Sequence, residues 1–146
     1  MINKISARKD PEQIFISCRN TAGAALSAGV PVAFEVDAVS DGNSVSYAVD
    51  AEAGLFAGIT DDAMADDAYG LVQVYGARTS AYCSVASAGY AVGLKLQPVS
   101  GYAYLTDVTS SAVGGSDFHF VNIFETVAGA AGSSTVQNFK VFIRAL

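Results

Sequence analysis

Residues 30–37 read VPVAFEVD, and this stretch decides the fold class. Every second residue from Val30 to Val36 is apolar, whereas the residues between them are proline, alanine and glutamate. This period of two is typical of a β-strand with one face toward the core and one toward water. Pro31 has no backbone N–H to donate, so we expect it at the start of the strand or at a sheet edge.

Similar stretches recur along the chain, which predicts an all-β protein. The sequence Asp-Gly-Asn at 41–43 is a turn signal before a second alternating stretch at 45–49, so these segments predict a hairpin. Residues 54–59 (GLFAGI) form an apolar run between glycines, which predicts a short strand buried on both faces. The other predicted strands are residues 14–18, 69–75, 78–85, 90–97, 102–105, 117–127 and 136–144.

The predicted strands number about nine or ten, which suits a single-domain β-sandwich or a partly closed β-barrel. Gly76 is expected to act as a hinge between two of them. The two longest candidates, 117–127 and 136–144, are separated by small residues and predict a closing hairpin. The chain of 146 residues is 51% hydrophobic, which allows one compact domain over residues 14–146.

Residues 1–13 are polar and charged and predict a flexible, extended arm ahead of this domain. The cations of the arm are Lys4, Arg8 and Lys9. Together with Arg19 they supply half of the positive charge of the chain, and no further Lys or Arg precedes Arg78. A basic arm is suited to an acidic surface on a partner, and a simple gain in solubility is the alternative explanation.

Charge and hydropathy argue against two classes of partner. The formal net charge of −6 opposes attraction to phosphates, so no nucleic-acid partner is predicted. No segment approaches the ~20 apolar residues of a membrane span, and the first residues contain no apolar signal-peptide region. No membrane partner is therefore predicted.

Residues 60–68 (TDDAMADDA) are acidic and predict a loop with a short turn. The alternative is one helical turn capped by Thr60 or Asp61. The aspartates between Asp61 and Asp67 have the oxygen donors that hard cations prefer, although their spacing does not fit an EF-hand. Solvation of the loop is the default interpretation, with a weak calcium site as the alternative.

Few residues in the chain are suited to catalysis or metal binding. Cys18 and Cys83 allow one disulfide and match no metal-binding spacing, which favours two free structural thiols made in a reducing cytoplasm. The single histidine, His119, lies between two phenylalanines of a predicted strand. No nucleophile-elbow pattern is present, so no enzymatic activity and no cofactor are predicted.

Residues 28–40 and 88–100 are similar to each other at an offset of sixty residues. Each segment is a turn of small residues that leads into an alternating strand. Because the whole chain is rich in alanine, glycine, valine and serine, the likeness is explained by shared local chemistry, and no repeat fold is predicted from it.

Six of the seven tyrosines lie between residues 69 and 104. Tyrosine pairs apolar area with a hydroxyl group at a modest entropy cost, so it is common at protein interfaces. Ordinary half-buried sheet positions explain most of these residues. The candidates for an oligomer interface are Tyr75, Tyr82, Tyr102 and Tyr104.

The order of strands and glycines resembles that of the small head decoration proteins, or capsid cement proteins, of tailed bacteriophages. The stretches that carry the resemblance are AGVPV at 28–32, GLFAGITD at 54–61, AYGLVQVYG at 68–76 and the strand at 88–96. The resemblance covers residues 14–105 and rests on strand order, with no diagnostic chemical motif. The predicted hairpin from Asp117 onward departs from the family pattern.

The resemblance implies a structural virion protein that binds the outer capsid surface after synthesis in the host cytoplasm. It implies two partners, the major capsid protein and further copies of the chain in a homotrimer, and it implies no cofactor. A clamp of this kind gains affinity by engaging several capsid subunits at once. The candidates for capsid contact are Lys4, Arg8, Lys9 and Phe15.

Other classes of function remain open from the sequence. A β-sandwich adhesion or carbohydrate-binding module of a virion or cell surface is the first alternative, and tyrosines beside the 61–67 loop would favour it. A tail-tube or other virion component is the second. A hydrolase is the third, and His119 is the residue on which it would depend.

Overall fold

The computed structural model describes residues 12–35, 42–47, 55–85, 89–98, 102–107, 121–128 and 135–145. These parts of the chain contain β-strands and no α-helix, which confirms the all-β prediction. The strands are β1 (Ile14–Asn20), β2 (Pro31–Phe34), β3 (Ser44–Ser46), β4 (Phe56–Thr60), β5 (Tyr69–Val85), β6 (Lys95–Pro98), β7 (Leu105–Asp107), β8 (Val121–Ile123) and β9 (Thr135–Arg144).

Five strands close a barrel in the order β1-β3-β2-β4-β5, because the first half of β5 pairs antiparallel with β1. The hairpin predicted from the turn at 41–43 is present as the antiparallel pair β2–β3. Strand β4 is buried at every residue, as the apolar run at 54–59 predicted. The core of this first barrel consists of Cys18, Leu26, Val30, Val32, Val45, Ala57, Met64, Val72 and Val74.

The second half of β5 belongs to another closed ring, in the order β5-β7-β6-β8-β9 and back to β5. The predicted closing hairpin is present, since β8 pairs antiparallel with β9. The core of this second barrel consists of Ala81, Cys83, Tyr90, Leu96, Leu105, Val121, Ile123, Phe139, Val141 and Ile143, joined by Phe56 and Ile59 of β4. Because β4 contributes to both cores, the two barrels pack against each other along β4 and β5.

The two barrels repeat each other in strand order and in hydrogen bonding. In the first, Gly29 N donates to Thr60 O at 2.9 Å; in the second, Gly93 N donates to Ile123 O at the same 2.9 Å. An isolated β-bridge lies three residues before each of these glycines. Leu26 bridges to Met64 after β4, and Tyr90 bridges to Val127 after β8.

The structure therefore contains a repeat that the sequence analysis did not predict. The sequence likeness between residues 28–40 and 88–100 is not that repeat, because it is out of register with it. The correct correspondence pairs Gly29 with Gly93, whereas the sequence likeness paired Gly29 with Gly89. Both turn glycines have a φ of +85°, which residues with a side chain rarely adopt.

Strand β5 runs for 17 residues through Gly76, so the prediction of two strands hinged at this glycine was wrong. Glu12 and Gln13, which precede β1, pass close to β5 at Gly76. A Cβ atom at Gly76 would lie 2.1 Å from the backbone oxygen of Glu12, and Gln13 Nε2 donates to Ala77 O at 2.7 Å. Only a residue without a side chain allows this close approach.

Two predicted strands begin later than expected. The segment predicted at 90–97 forms strand only over Lys95–Pro98, because the turn at Gly93 interrupts the alternation. The segment predicted at 102–105 is β7, Leu105–Asp107. Of the segment predicted at 117–127, residues 117–120 lie outside the described residues and β8 covers Val121–Ile123.

Cys18 and Cys83 are buried and unpaired, which confirms the prediction of two free thiols. Burial raises the pKa of the Cys18 thiol to about 11. Burial and the nearby charge of Glu125 raise the pKa of the Cys83 thiol to about 12. Neither residue has the lowered pKa of a reactive cysteine.

We expect the native protein to resist thiol labelling at about pH 8, because the reactive thiolate is scarce and both sulfurs are buried. Raising the pH to about 10 should leave labelling slow, since that pH is still below both thiol pKa values. A colorimetric thiol reagent measures the rate, and the denatured chain is the control, in which both cysteines should react. Rapid labelling of the native chain would contradict the buried placement.

Candidate interaction surface

The predicted capsid contacts are only partly within the described residues. Lys4, Arg8 and Lys9 lie outside them. Phe15 is half-buried on β1, opposite Gln73 of β5.

The four predicted interface tyrosines fall in three environments. Tyr75 packs edge-on against Phe142, with ring centroids 5.3 Å apart. Tyr82 is half-buried against the core of the first barrel. Tyr102 is 54% exposed and lies with Tyr104 in a tilted pair with centroids 5.1 Å apart.

The second barrel carries exposed aromatic side chains that the sequence predictions missed. Phe124 follows β8 and is 53% exposed, and its ring centroid lies 5.6 Å from that of Phe142 on β9. The guanidinium carbon of Arg144 lies 5.8 Å from the Phe142 ring, within range of a cation–π interaction. The alternation of β9 turns Lys140, Phe142 and Arg144 to the same side, opposite the buried Val141 and Ile143.

The barrel repeat places Asp61 and Gln73 of the first barrel where the second has Phe124 and Phe142. Asp61 N donates to Leu71 O and Phe124 N donates to Lys140 O, both at 2.8 Å. Gln73 pairs with Ile59 in the same way that Phe142 pairs with Asn122. One location on the repeated fold is thus polar in the first barrel and aromatic in the second.

Arg78 covers the polar version of this location. Its guanidinium donates to Asp61 Oδ1 at 3.0 Å, to Gln73 Oε1 at 3.3 Å, and to the backbone oxygens of Thr60 at 2.7 Å and Asp61 at 3.1 Å. Its Nε also donates to Ser80 O at 2.7 Å. The Arg78 side chain is only 10% exposed, so the guanidinium closes this part of the first barrel.

The acidic segment after β4 is a loop, as predicted, and Asn20 fixes it. The buried Asn20 amide donates to the backbone oxygens of Ala24, Met64 and Ala65, and its side-chain oxygen accepts from Ala22 N. At the equivalent position in the second barrel the chain has Cys83, because Asn20 pairs with Val45 as Cys83 pairs with Leu105. The loop of the first barrel is therefore specifically ordered by a side-chain amide.

Two of the loop carboxylates already have cationic partners. Asp61 binds Arg78, and Asp67 Oδ1 lies 2.9 Å from Arg19 Nη2. In the parts of the chain that the structure describes, no three His, Cys, Asp or Glu side chains are grouped to hold a metal ion. The geometry gives no support to the alternative of a calcium site in this loop.

The outer surface near Leu71 on the first barrel differs in charge from the outer surface near its equivalent, Lys140, on the second. On the first, Tyr69 (64% exposed) and Leu71 (46% exposed) follow the loop that contains the exposed Asp62 and Asp66. We call these four residues the acidic face. On the second, the aromatic face consists of Phe124, Lys140, Phe142 and Arg144. Both faces combine exposed apolar side chains with charge, which is a composition suited to protein contacts.

His119, the residue on which a hydrolase would depend, lies outside the described residues. Within those residues, no helix has the length and apolar character needed to span a membrane. The sequence matches no known family model and no curated protein.

Proposed function

We propose that this chain is a structural virion protein that binds the outer capsid surface of a tailed bacteriophage and stabilises contacts between major capsid subunits. The observation that carries the proposal is a double barrel of paired strands that exposes large apolar side chains. The most exposed are Tyr69, Val92, Tyr102 and Phe124. The resemblance of residues 14–105 to head decoration proteins supports the same function.

A closed β scaffold suits a clamp because binding then orders few residues. Closed rings have paired strands all round, so the contact residues are held by the backbone hydrogen bonds of their neighbours. A preformed surface loses less conformational entropy on binding than a flexible one. The two barrels also offer two separate surfaces, which allows one molecule to touch more than one capsid subunit.

Co-sedimentation with undecorated capsids of the same phage tests this function. The purified chain should pellet with the capsids and saturate at a fixed ratio to the major capsid protein. A chain that stays in the supernatant while remaining folded would overturn the proposal.

The contribution of the basic arm can be tested separately. Deleting residues 1–10 preserves the contacts of Glu12 and Gln13 with β5, so the barrels should remain folded. We expect this deletion to weaken capsid binding, and a full-length chain with Lys4, Arg8 and Lys9 changed to alanine separates the loss of charge from the loss of length. Unchanged binding by both variants would remove the arm from the capsid contact.

An adhesion or carbohydrate-binding module is the second candidate, because the Tyr102–Tyr104 pair exposes aromatic surface to which a sugar ring can bind. A glycan array with the wild-type chain and with Tyr102→Ala tests it. Specific glycan binding that disappears in the variant, together with no capsid binding, would favour this candidate.

A further inference from the structure

The acidic face and the aromatic face share one corresponding position of the barrel repeat, which is Leu71 in the first barrel and Lys140 in the second. Leu71 O accepts a backbone hydrogen bond from Asp61 N, and Lys140 O accepts one from Phe124 N. In each case the donor is the residue that follows the preceding strand, β4 or β8. The two strands also close their rings through antiparallel pairing, β5 with β1 and β9 with β5. A partner shaped to one barrel therefore meets a similar backbone on the other, with different side chains.

The side chains on the two faces are complementary in charge. The loop before Tyr69 contains four aspartates, of which Asp62 and Asp66 are exposed and Asp67 is 70% exposed beside Arg19. The aromatic face presents Lys140 and Arg144, both exposed, beside its two phenylalanines. The carboxylate of Glu125 also lies here and accepts from Lys140 N at 2.7 Å, so the two cations outnumber one anion and the face is positive. Opposite charges around apolar contacts favour association and fix the orientation of the partner.

Phe124 of the aromatic face has Asp61 as its equivalent in the first barrel, and the chain covers these two places differently. On the first barrel Arg78 lies over Asp61 and Gln73 and is nearly buried. On the second barrel the corresponding Phe124 leaves about half of its surface, 53%, in water. An exposed phenylalanine that contacts another aromatic ring is the kind of residue that anchors an interface when a partner buries it.

We infer that copies of this chain associate head to tail, with the acidic face of one copy bound to the aromatic face of the next. Tyr69 and Leu71 would pack on Phe124 and Phe142, while Asp62 and Asp66 meet Lys140 and Arg144. This contact is heterologous, because it joins two different surfaces of the chain. Repeating it generates a closed ring when the rotation that relates neighbouring copies is a whole fraction of a full turn. The inference rests on the proposed function, because it identifies which surfaces of the chain meet in the homotrimer expected for that function.

Sedimentation velocity of the purified chain without capsids, over a series of concentrations, is the first test. Wild type should form a discrete oligomer that weakens as salt rises, because charged pairs contribute to the contact. Phe124→Ser should weaken self-association about tenfold or more, the effect of losing a central anchor residue. Val136→Ser is the matched control: Val136 is 49% exposed on the same side of β9 but about 20 Å along the strand from Phe142.

Charge reversal tests the pairing of the two faces. Asp62→Lys with Asp66→Lys should abolish the oligomer, and so should Lys140→Glu with Arg144→Glu, because each variant brings like charges together. The chain that combines all four changes should associate again, since its faces are complementary with reversed sign. A wild-type monomer, a control variant as defective as Phe124→Ser, or a fourfold variant that stays monomeric would overturn the inference.

Failure of this inference is distinguishable from failure of the proposed function. The self-association experiment contains no capsid, and capsid co-sedimentation can be repeated with Phe124→Ser. A variant that is monomeric but still saturates capsids, with reduced affinity from the loss of multivalency, supports both statements. Full wild-type affinity in a monomeric variant would show that the head-to-tail contact does not form on the capsid, and would overturn the inference alone.

Discussion

Replacing Gly58 with alanine is expected to destabilise the fold by about 3–5 kcal/mol, a large fraction of the stability of a small domain. Gly58 lies at the centre of β4, which is buried on all sides. An added Cβ would lie 2.2 Å from the backbone oxygen of Gln73 and 2.8 Å from a methyl carbon of Val72. The φ of +148° also belongs to a region that is almost restricted to glycine.

The backbone clash makes this substitution costly, because the oxygen belongs to the neighbouring strand and cannot rotate away. Relief requires β4 and β5 to separate, and these strands connect the cores of both barrels. Urea unfolding of the wild type and the variant measures the loss in free energy.

Gly23→Ala is the matched control for the Gly58 variant. Gly23 also has a positive φ, +72°, but nothing lies within 4 Å of the position its Cβ would take. We expect a loss of about 1 kcal/mol, which reflects backbone strain alone. Equal losses in the two variants would contradict the close approach of β4 to β5 at Gly58.

Arg78→Ala should reduce stability by about 2–4 kcal/mol, because it removes the guanidinium and leaves several polar groups of the first barrel without their donor. The groups affected include the Asp61 carboxylate and the Gln73 side-chain oxygen. The Thr60 backbone oxygen loses one of two donors and keeps its hydrogen bond from Gly29 N. Asp61 is 38% exposed and can regain some water, which keeps the expected loss below that of a fully buried ion pair.

Two other arginine variants sharpen this test. Arg78→Lys keeps the charge but not the planar set of donors, so we expect an intermediate loss. Arg19→Ala removes an Arg–Asp pair of similar length, 2.9 Å against 3.0 Å, whose side chains are 40% and 70% exposed. We expect that variant to lose less than about 1 kcal/mol, as is typical of surface ion pairs. Thermal and urea unfolding report all three, and similar losses for Arg19→Ala and Arg78→Ala would contradict the structural role of Arg78.

Local sequence patterns were sufficient for most of the strands. The alternation at 30–37, the apolar run at 54–59 and the alternation at 136–144 correspond to β2, β4 and β9. These predictions succeed because a short apolar pattern, alternating or continuous, is a local signal that depends on no distant partner. The face toward water predicted for the strand at 30–37 was wrong over β2, since Pro31, Val32 and Ala33 are all buried. Errors occurred at two glycines with positive φ: β5 continues through Gly76, where two strands were predicted, and the turn at Gly93 delays the start of β6.

Ring closure and the repeat depend on contacts between distant residues, which local patterns do not contain. Corresponding positions of the two barrels differ in chemistry, as Asn20 and Cys83 do, or Gln73 and Phe142. What the barrels preserve is the pairing of strands and the position of the turns. The likeness between residues 28–40 and 88–100 does not reveal the repeat, because it matches Gly29 with Gly89 whereas the barrels match Gly29 with Gly93.

The candidate surface was predictable only in part, for the same reason. The acidic loop was predictable from the sequence, but the exposure of Tyr69 and Leu71 after it was not. Together these residues and the exposed aspartates form the acidic face. Phe124 and Phe142 are 18 positions apart in sequence and meet because β8 pairs with β9. The alternation of Lys140, Phe142 and Arg144 was a usable signal for a mixed charged and aromatic face. The interface prediction was instead based on tyrosines, none of which belongs to that face.

The most direct test of the proposed function is the temperature at which capsids of the same phage rupture, with and without the saturating protein. A protein that stabilises contacts between capsid subunits should raise this temperature, and the Gly58→Ala variant, if unfolded, should not. A rupture temperature unchanged by bound wild-type protein would contradict the stabilising function.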